Sequence, residues 1–126
     1  MSETLPFEGV TIVDFAHVLA GPACSYYFGL FGAEAKKIET PILGDAIRNR
    51  GGTDPVTARS GMSTPYLTQA AGKKSVCLDL ESPKGNRALH ALLQDTDIFL
   101  ENHVPMTMQR LSLDNETVTK RHKHLI

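Results

Sequence analysis

Short apolar segments alternate with helix-like segments along this 126-residue chain. We expect strands at VTIVDF (10–15), EAKKIE (34–39), KSVCLDL (74–80) and DIFLEN (97–102), with helical stretches between them. When strands alternate with helices, each crossover is right-handed and the sheet is mostly parallel. The sequence therefore predicts an α/β fold: a Rossmann-like, mostly parallel sheet with flanking helices.

Turn and capping residues mark where the helices begin. Gly21-Pro22 and Ser82-Pro83 each place a proline at the start of a helix, and Ser82 adds a capping hydroxyl. Short helices are predicted after Val104 and after Asp114. Close packing on the sheet is expected at the small residues Gly29 and Gly32 of the first helix. The helix after Ser82 carries one apolar face: Ala88, Leu89, Leu92 and Leu93.

Two segments depart from this strand–helix repeat. Residues 40–65 are rich in Gly, Pro, Thr and Asp, and they are too long for a simple connection, which indicates a functional or disordered loop. A helical turn is predicted just after it, at 66–72. Near the other end, His122 and His124 are expected at the surface on opposite sides of a helix, and Leu125-Ile126 looks like the beginning of a strand.

Composition narrows the class of protein. A chain of 126 residues with a net charge of −1 forms at most one domain, or part of a larger one, and has no overall attraction to nucleic acid or membranes. We find no apolar run long enough for a membrane span and no signal peptide. Cys24 and Cys77 have no metal-site spacing, so we expect no metal and a reducing, cytoplasmic location.

Ligands of parallel sheets bind beyond the carboxyl ends of the strands. Three turns qualify: AHVLAGP, TPILGD and NHVP. The first offers only Gly21 where a dinucleotide fingerprint needs three glycines, so a dinucleotide site of that kind is not expected. His17 and Cys24 suggest a base and a nucleophile, but seven residues and a turn separate them, and structural roles are favoured for both.

Three blocks in order, LPFEGVTIVDFAHVLAGPACSYYFGLFGAEAKKIE, KKSVCLDLESPKG and DIFLENHVPMTMQRL, resemble the N-terminal part of family III CoA-transferases. The resemblance implies that residues 1–126 are a Rossmann-like segment that binds coenzyme A. It also implies a homodimer of two interlocked chains. In this family an aspartate attacks an acyl-CoA thioester, and a carboxylic acid then takes up the CoA through the aspartyl intermediate.

The resemblance also implies CoA contacts at the carboxyl ends of the strands. Arg110 is matched to a basic residue that faces CoA phosphate, a role suited to arginine. The other matched positions are Val18, Leu19, Ala20, Leu78, Asp79, Leu80, Glu81, Asn102, His103 and Val104.

Several positions depart from the family pattern. Thr40 and Glu81 stand where relatives carry basic residues, and Arg48 and Arg50 could replace the lost charge. His103 stands in the place of an aromatic residue, and Met106 in the place of a glycine.

The family's nucleophilic aspartate is expected beyond Ile126, so no catalytic residue is assigned here. Structural roles are expected for Asp14, Asp45, Asp79 and Asp97. We therefore expect CoA transfer by the full-length parent, with this chain binding CoA at most, and self-association through uncovered apolar surface. Two alternatives stay open: an acyl-CoA racemase or epimerase of the same superfamily, and a non-catalytic CoA-binding module or assembly fragment.

Overall fold

The computed structural model describes residues 4–50, 56 and 60–126. Strands and helices alternate through these residues as predicted, and most observed strands are shorter than the predicted ones. In chain order the elements are β1 (Thr11–Asp14), α1 (Ala20–Leu30), β2 (Glu34–Glu39), a 3₁₀ helix (Ala46–Asn49), α2 (Thr64–Ala70), β3 (Lys74–Cys77), α3 (Pro83–Leu93), β4 (Ile98–Leu100), α4 (Pro105–Arg110) and α5 (Asn115–Arg121).

The strands form one sheet in the order β3-β2-β1-β4, and each neighbouring pair is parallel. Val13 of the central strand β1 lies opposite Lys36 of β2 on one side and Phe99 of β4 on the other. Ile12 and Val13 are buried, as expected for a parallel strand covered on both faces. The same order opens the doubly wound sheets that bind nucleotides, so the predicted α/β class is confirmed.

An apolar cluster of described residues joins the sheet to α3, α4 and α5. Leu89 and Leu93 of α3 are completely buried at its centre, which confirms the predicted apolar face of this helix. The buried members are Val13, Phe15, Ile38, Leu80, Leu89, Leu93, Met108, Leu111, Leu113 and Val118.

The capping residues act as predicted at α3 and α5. The Ser82 hydroxyl accepts a hydrogen bond from the Gly85 N–H at 3.0 Å, and the Asp114 carboxylate accepts one from the Thr117 N–H at 3.1 Å. Helix α1 differs from the prediction, because it begins at Ala20 rather than at the proline.

Close approach of a helix to neighbouring backbone occurs at Gly21 and Gly85. A Cβ atom on Gly21 would lie 2.2 Å from the Cβ of Ala16, and one on Gly85 would lie 1.9 Å from the carbonyl oxygen of Asp79. The prediction for Gly29 is wrong, because beyond its chain neighbours and the nearby backbone of its own helix no described atom lies within 4 Å of the corresponding position. Gly32 instead ends α1 with a φ of +105°, which other residues rarely adopt.

The first part of the predicted loop 40–65 is folded rather than irregular. The Asp45 carboxylate accepts a hydrogen bond from the Ile47 N–H at 2.9 Å and caps the 3₁₀ helix, while Ile47 is buried. The helical turn predicted at 66–72 lies mostly within α2. Residues 51–55 and 57–59 of the predicted loop lie outside the described residues.

The prediction of a surface position is wrong for His122. This side chain is buried, and its Nε2 atom lies 2.9 Å from Nδ1 of His90, with the two rings stacked. Helix α5 ends at Arg121, so His122 leaves the helical pattern and turns toward α3. His124 is exposed, as predicted.

The expected beginning of a strand at Ile126 is confirmed. The Ile126 N–H donates to the carbonyl of Asp97 at 3.0 Å, and the Ile126 carbonyl accepts from the Phe99 N–H at 3.0 Å. These two bonds are those of a parallel ladder beside β4.

Candidate functional site

The turn after β1 is held by the buried carboxylate of Asp14. It accepts hydrogen bonds from the Ala16 N–H at 2.9 Å and the Ser25 hydroxyl at 2.5 Å, and it pairs with Lys73 Nζ at 2.9 Å. The predicted structural role of Asp14 is therefore confirmed. Val18, the next exposed residue in the turn, has a φ of 69°. A β-branched residue rarely adopts this conformation, so the backbone is strained here.

Asn102 links the turns that follow β1 and β4. Its side-chain oxygen accepts a hydrogen bond from the His17 N–H at 2.8 Å, and its Nδ2 donates to the His17 carbonyl at 2.9 Å. This two-bond clamp fixes the spacing of the two turns.

Two histidine rings meet between these turns. The rings of His17 and His103 are perpendicular, with centroids 4.4 Å apart, and the His103 ring also packs on Phe15 at 4.2 Å. His103 Nε2 lies 2.8 Å from the Phe15 carbonyl, so this nitrogen is the donor. Burial lowers the pKa of His103, which favours the neutral ring. His103 thus fills an aromatic position while keeping one polar contact.

A buried ion pair stands behind the His17 ring. Lys37 Nζ lies 2.7 Å from Asp45 Oδ2 and donates to the Ala16 carbonyl at 3.0 Å. Burial opposes ionisation of Asp45, but the His17 ring at 3.9 Å, the Ile47 N–H and Lys37 outweigh it and hold the Asp45 pKa well below its usual range. Asp45 is thus a structural anion, as predicted.

A cavity of about 420 Å³ opens at the carboxyl ends of the strands. Its floor is largely apolar, and its size lies in the range of small-molecule sites. The lining residues are Phe15, His17, Ile38, Glu39, Thr40, Pro41, Leu78, Asp79, Leu80, Glu81, His103, Thr107, Arg110 and Leu111.

Six of the eleven predicted contact residues line this cavity: Leu78, Asp79, Leu80, Glu81, His103 and Arg110. The other five do not line it: Val18, Leu19, Ala20, Asn102 and Val104. His17 and His103 form the histidine wall of the cavity, and the exposed residues Val18, Leu19 and Val104 are their neighbours in the chain. Asn102 is hydrogen-bonded to the backbone of His17. Arg110 forms an ion pair with Glu81 at the rim.

Several other residues singled out in the sequence form hydrogen bonds or ion pairs within the protein. Arg48 binds the buried carboxylate of Glu39, so it is not the free replacement cation that the sequence suggested. Asp79 accepts a hydrogen bond from the Glu81 N–H, and Asp97 accepts one from the Thr11 N–H, as expected of structural residues. The predicted ligand contact of Asp79 stays a prediction. The structural role favoured for Cys24 is not supported by burial, because this side chain is exposed on α1, and it does not line the cavity as His17 does.

Sequence reasoning missed Thr107 and Leu111. They lie three residues before and one residue after Arg110, on the same side of α4. Residues at this spacing share one face of a helix, so both could have been predicted from the position of Arg110. Thr40 and Pro41 belong to the segment TPILGD, one of the three turns where the sequence predicts ligand binding.

The described residues contain neither a metal-binding cluster nor a membrane-spanning helix. Within the described part of the chain, no group of three or more His, Cys, Asp or Glu side chains is arranged to hold a metal ion. Among the helices of those residues, none is long and apolar enough to cross a membrane.

Residues 7–126 match the model of CoA-transferase family III, and the chain therefore belongs to this family. This confirms the resemblance stated from the sequence blocks.

Three proteins with similar sequences are named as CoA-transferases. The chain is 39% identical to the succinyl-CoA–L-malate CoA-transferase beta subunit of Chloroflexus aurantiacus, over 98% of this chain and 29% of that protein. It is 36% identical to human succinyl-CoA:glutarate CoA-transferase, over 100% and 28%. It is 35% identical to formyl-CoA:oxalate CoA-transferase of Afipia carboxidovorans, over 94% and 27%. The chain thus spans less than a third of each relative.

Solved structures share the fold. Rv3272 from Mycobacterium tuberculosis superposes with a TM-score of 0.83 at 31% identity, covering 97% of this chain and 32% of that one. A CAIB/BAIF family protein from Brucella suis gives a TM-score of 0.86 at 25% identity, covering 98% and 32%.

Proposed function

We propose that residues 1–126 form a CoA-binding segment and that the strand-end cavity receives the nucleotide end of coenzyme A. The observation that carries this proposal is the meeting of Arg110 with an apolar floor in one cavity. The floor suits a flat adenine ring, and a guanidinium suits phosphate because it can donate two parallel hydrogen bonds.

The whole protein that contains this segment would transfer CoA between an acyl-CoA and a carboxylic acid. Support comes from family membership and from relatives named for such transfers. By the resemblance, none of Asp14, Asp45, Asp79 and Asp97 is matched to the family's nucleophilic aspartate. We therefore expect the 126-residue chain to bind CoA without transferring it, and measurable transfer by the purified chain would contradict this.

A homodimer and a cytoplasmic location also belong to the proposal. Helix α1 exposes Tyr27 and Leu30, and Leu19 and Phe31 at its ends are exposed as well. Exposed large apolar side chains on one helix are typical of a face covered by protein, which a second chain could provide. The free thiols of Cys24 and Cys77 suit a reducing compartment.

Calorimetric titration of CoA into the 126-residue chain tests the binding site. Arg110→Gln should weaken CoA binding about tenfold, because a charge-assisted hydrogen bond to phosphate is lost. Lys120→Gln is the matched control, since it removes the same charge from an exposed residue of α5 that does not line the cavity. Equal affinities of the two variants would overturn the placement of phosphate at Arg110.

A further inference from the structure

The Glu81–Arg110 ion pair stands at the boundary between two depressions. Both residues line the strand-end cavity, and both also line an adjoining groove of about 330 Å³ over the beginning of α3. The side chains are 65% and 58% exposed, respectively. Solvent and ligands can therefore reach the pair from either side.

The charged residues that line the cavity determine which cation an incoming anion can bind. Among the described residues that line the cavity, Arg110 is the one arginine or lysine, and the acidic residues are Glu39, Asp79 and Glu81. Glu39 is neutralised by Arg48. The cation that the cavity itself offers to an incoming anion is thus already bound by Glu81, while Arg87 lines only the adjoining groove.

We propose that Glu81 competes with ligand phosphate for Arg110 and so weakens phosphate binding. The inference rests on the proposed binding of CoA phosphate at Arg110. A phosphate monoester carries more charge than a carboxylate and accepts the same two parallel hydrogen bonds from a guanidinium, so it displaces Glu81. Exposed ion pairs contribute little to stability, so this exchange leaves the fold intact.

The opposite role would be positioning. If Glu81 held the guanidinium in the orientation that phosphate needs, removal of its charge would weaken binding. The sign of the change in affinity therefore separates competition from positioning.

The test is calorimetric titration of CoA and, separately, of ADP into the 126-residue chain and its Glu81→Gln variant. Competition predicts about two- to fivefold tighter binding of both probes by Glu81→Gln, matching the strength of an exposed ion pair. Glu116→Gln is the matched control, because it removes one exposed carboxylate from α5, away from both depressions. It should change either affinity by less than about 1.5-fold.

A second comparison asks whether Glu81 acts through Arg110. In an Arg110→Gln background, Glu81→Gln should change affinity no more than the Glu116→Gln control does. An unchanged or weakened affinity of the single Glu81→Gln variant would overturn the inference.

The outcomes separate this inference from the proposed function. CoA binding with no gain from Glu81→Gln overturns the inference and leaves the function standing. Tighter ADP binding by Glu81→Gln without CoA binding by either protein supports the inference and overturns the function. Failure of both probes with every variant overturns both.

Discussion

Arg48 binds Glu39 through two nitrogens: Nε lies 2.5 Å from Oε2 and Nη2 lies 2.7 Å from Oε1. Tyr66 and Ser75 donate to the same carboxylate, at 3.1 and 2.7 Å. This network joins the end of β2 to the 3₁₀ segment, to α2 and to β3. It fixes the outer wall of the cavity, because Glu39 is also a lining residue.

The first prediction concerns acid stability. Burial opposes ionisation of Glu39, but hydrogen bonds from Arg48, Ser75 and the Asp45 N–H lower its pKa from an ordinary 4.5 to about 2. Because the folded pKa lies below the unfolded one, this stabilisation is present above pH 4.5 and is lost as pH falls toward 2. The difference corresponds to roughly 3 kcal/mol.

Urea unfolding at several pH values between 2 and 7 measures this effect. Glu39→Gln should lower the free energy of unfolding at pH 7 by about 3 kcal/mol or more, because Arg48 loses its partner. The variant should also lose less stability on acidification than the parent. Glu116→Gln, a change at an exposed residue of α5 outside this network, should stay close to the parental pH dependence; parallel curves for Glu39→Gln and the parent would refute the assignment.

The second prediction concerns the clamp between Asn102 and His17. Asn102→Ala removes both hydrogen bonds and should cost about 1–2 kcal/mol of unfolding free energy. It should also weaken CoA binding, because the histidine wall of the cavity loses its fixed spacing. Gln109→Ala, an exposed change on α4, is the control for both measurements. Equal CoA affinities for the two variants would show that the clamp does not support the cavity.

The sequence predicted the local features of the fold and fewer of the contacts around the site. Strand-forming runs, proline helix starts and the Ser82 cap depend on neighbouring residues, so they are visible in order along the chain. Whether Arg48 is free or paired depends on the positions of Glu39 and Tyr66 and on the path of residues 40–50. No local sequence pattern reveals these positions. His122 was misplaced for the same reason, since its partner His90 lies on another helix.

The third prediction concerns this histidine pair. Burial lowers the pKa of His90 and of His122, and the nearby charge of Arg121 adds to both shifts. The fold therefore favours neutral rings, one donating a hydrogen bond and the other accepting it. Stability should be highest above the ordinary histidine pKa of 6.5 and should fall as pH drops below it.

Thermal unfolding between pH 5 and 8 tests the pair. His122→Gln should flatten the dependence of Tm on pH in this interval, because one of the two buried titrating groups is removed. His124→Gln, an exposed neighbour, should leave that dependence close to the parental one. A flattened curve for His124→Gln and not for His122→Gln would contradict the assignment.

The last prediction contrasts two helical glycines. A Cβ at Gly85 would lie 1.9 Å from the Asp79 carbonyl oxygen and 2.5 Å from its carbon, so Gly85→Ala must displace backbone beside the cavity. We expect a loss of about 3 kcal/mol or more. Gly29→Ala meets open space and should stabilise the chain by about 0.5–1 kcal/mol, since alanine restricts the unfolded chain and favours the helix. Urea unfolding measures both changes, and a loss of stability with Gly29→Ala similar to that with Gly85→Ala would contradict the packing described for α3.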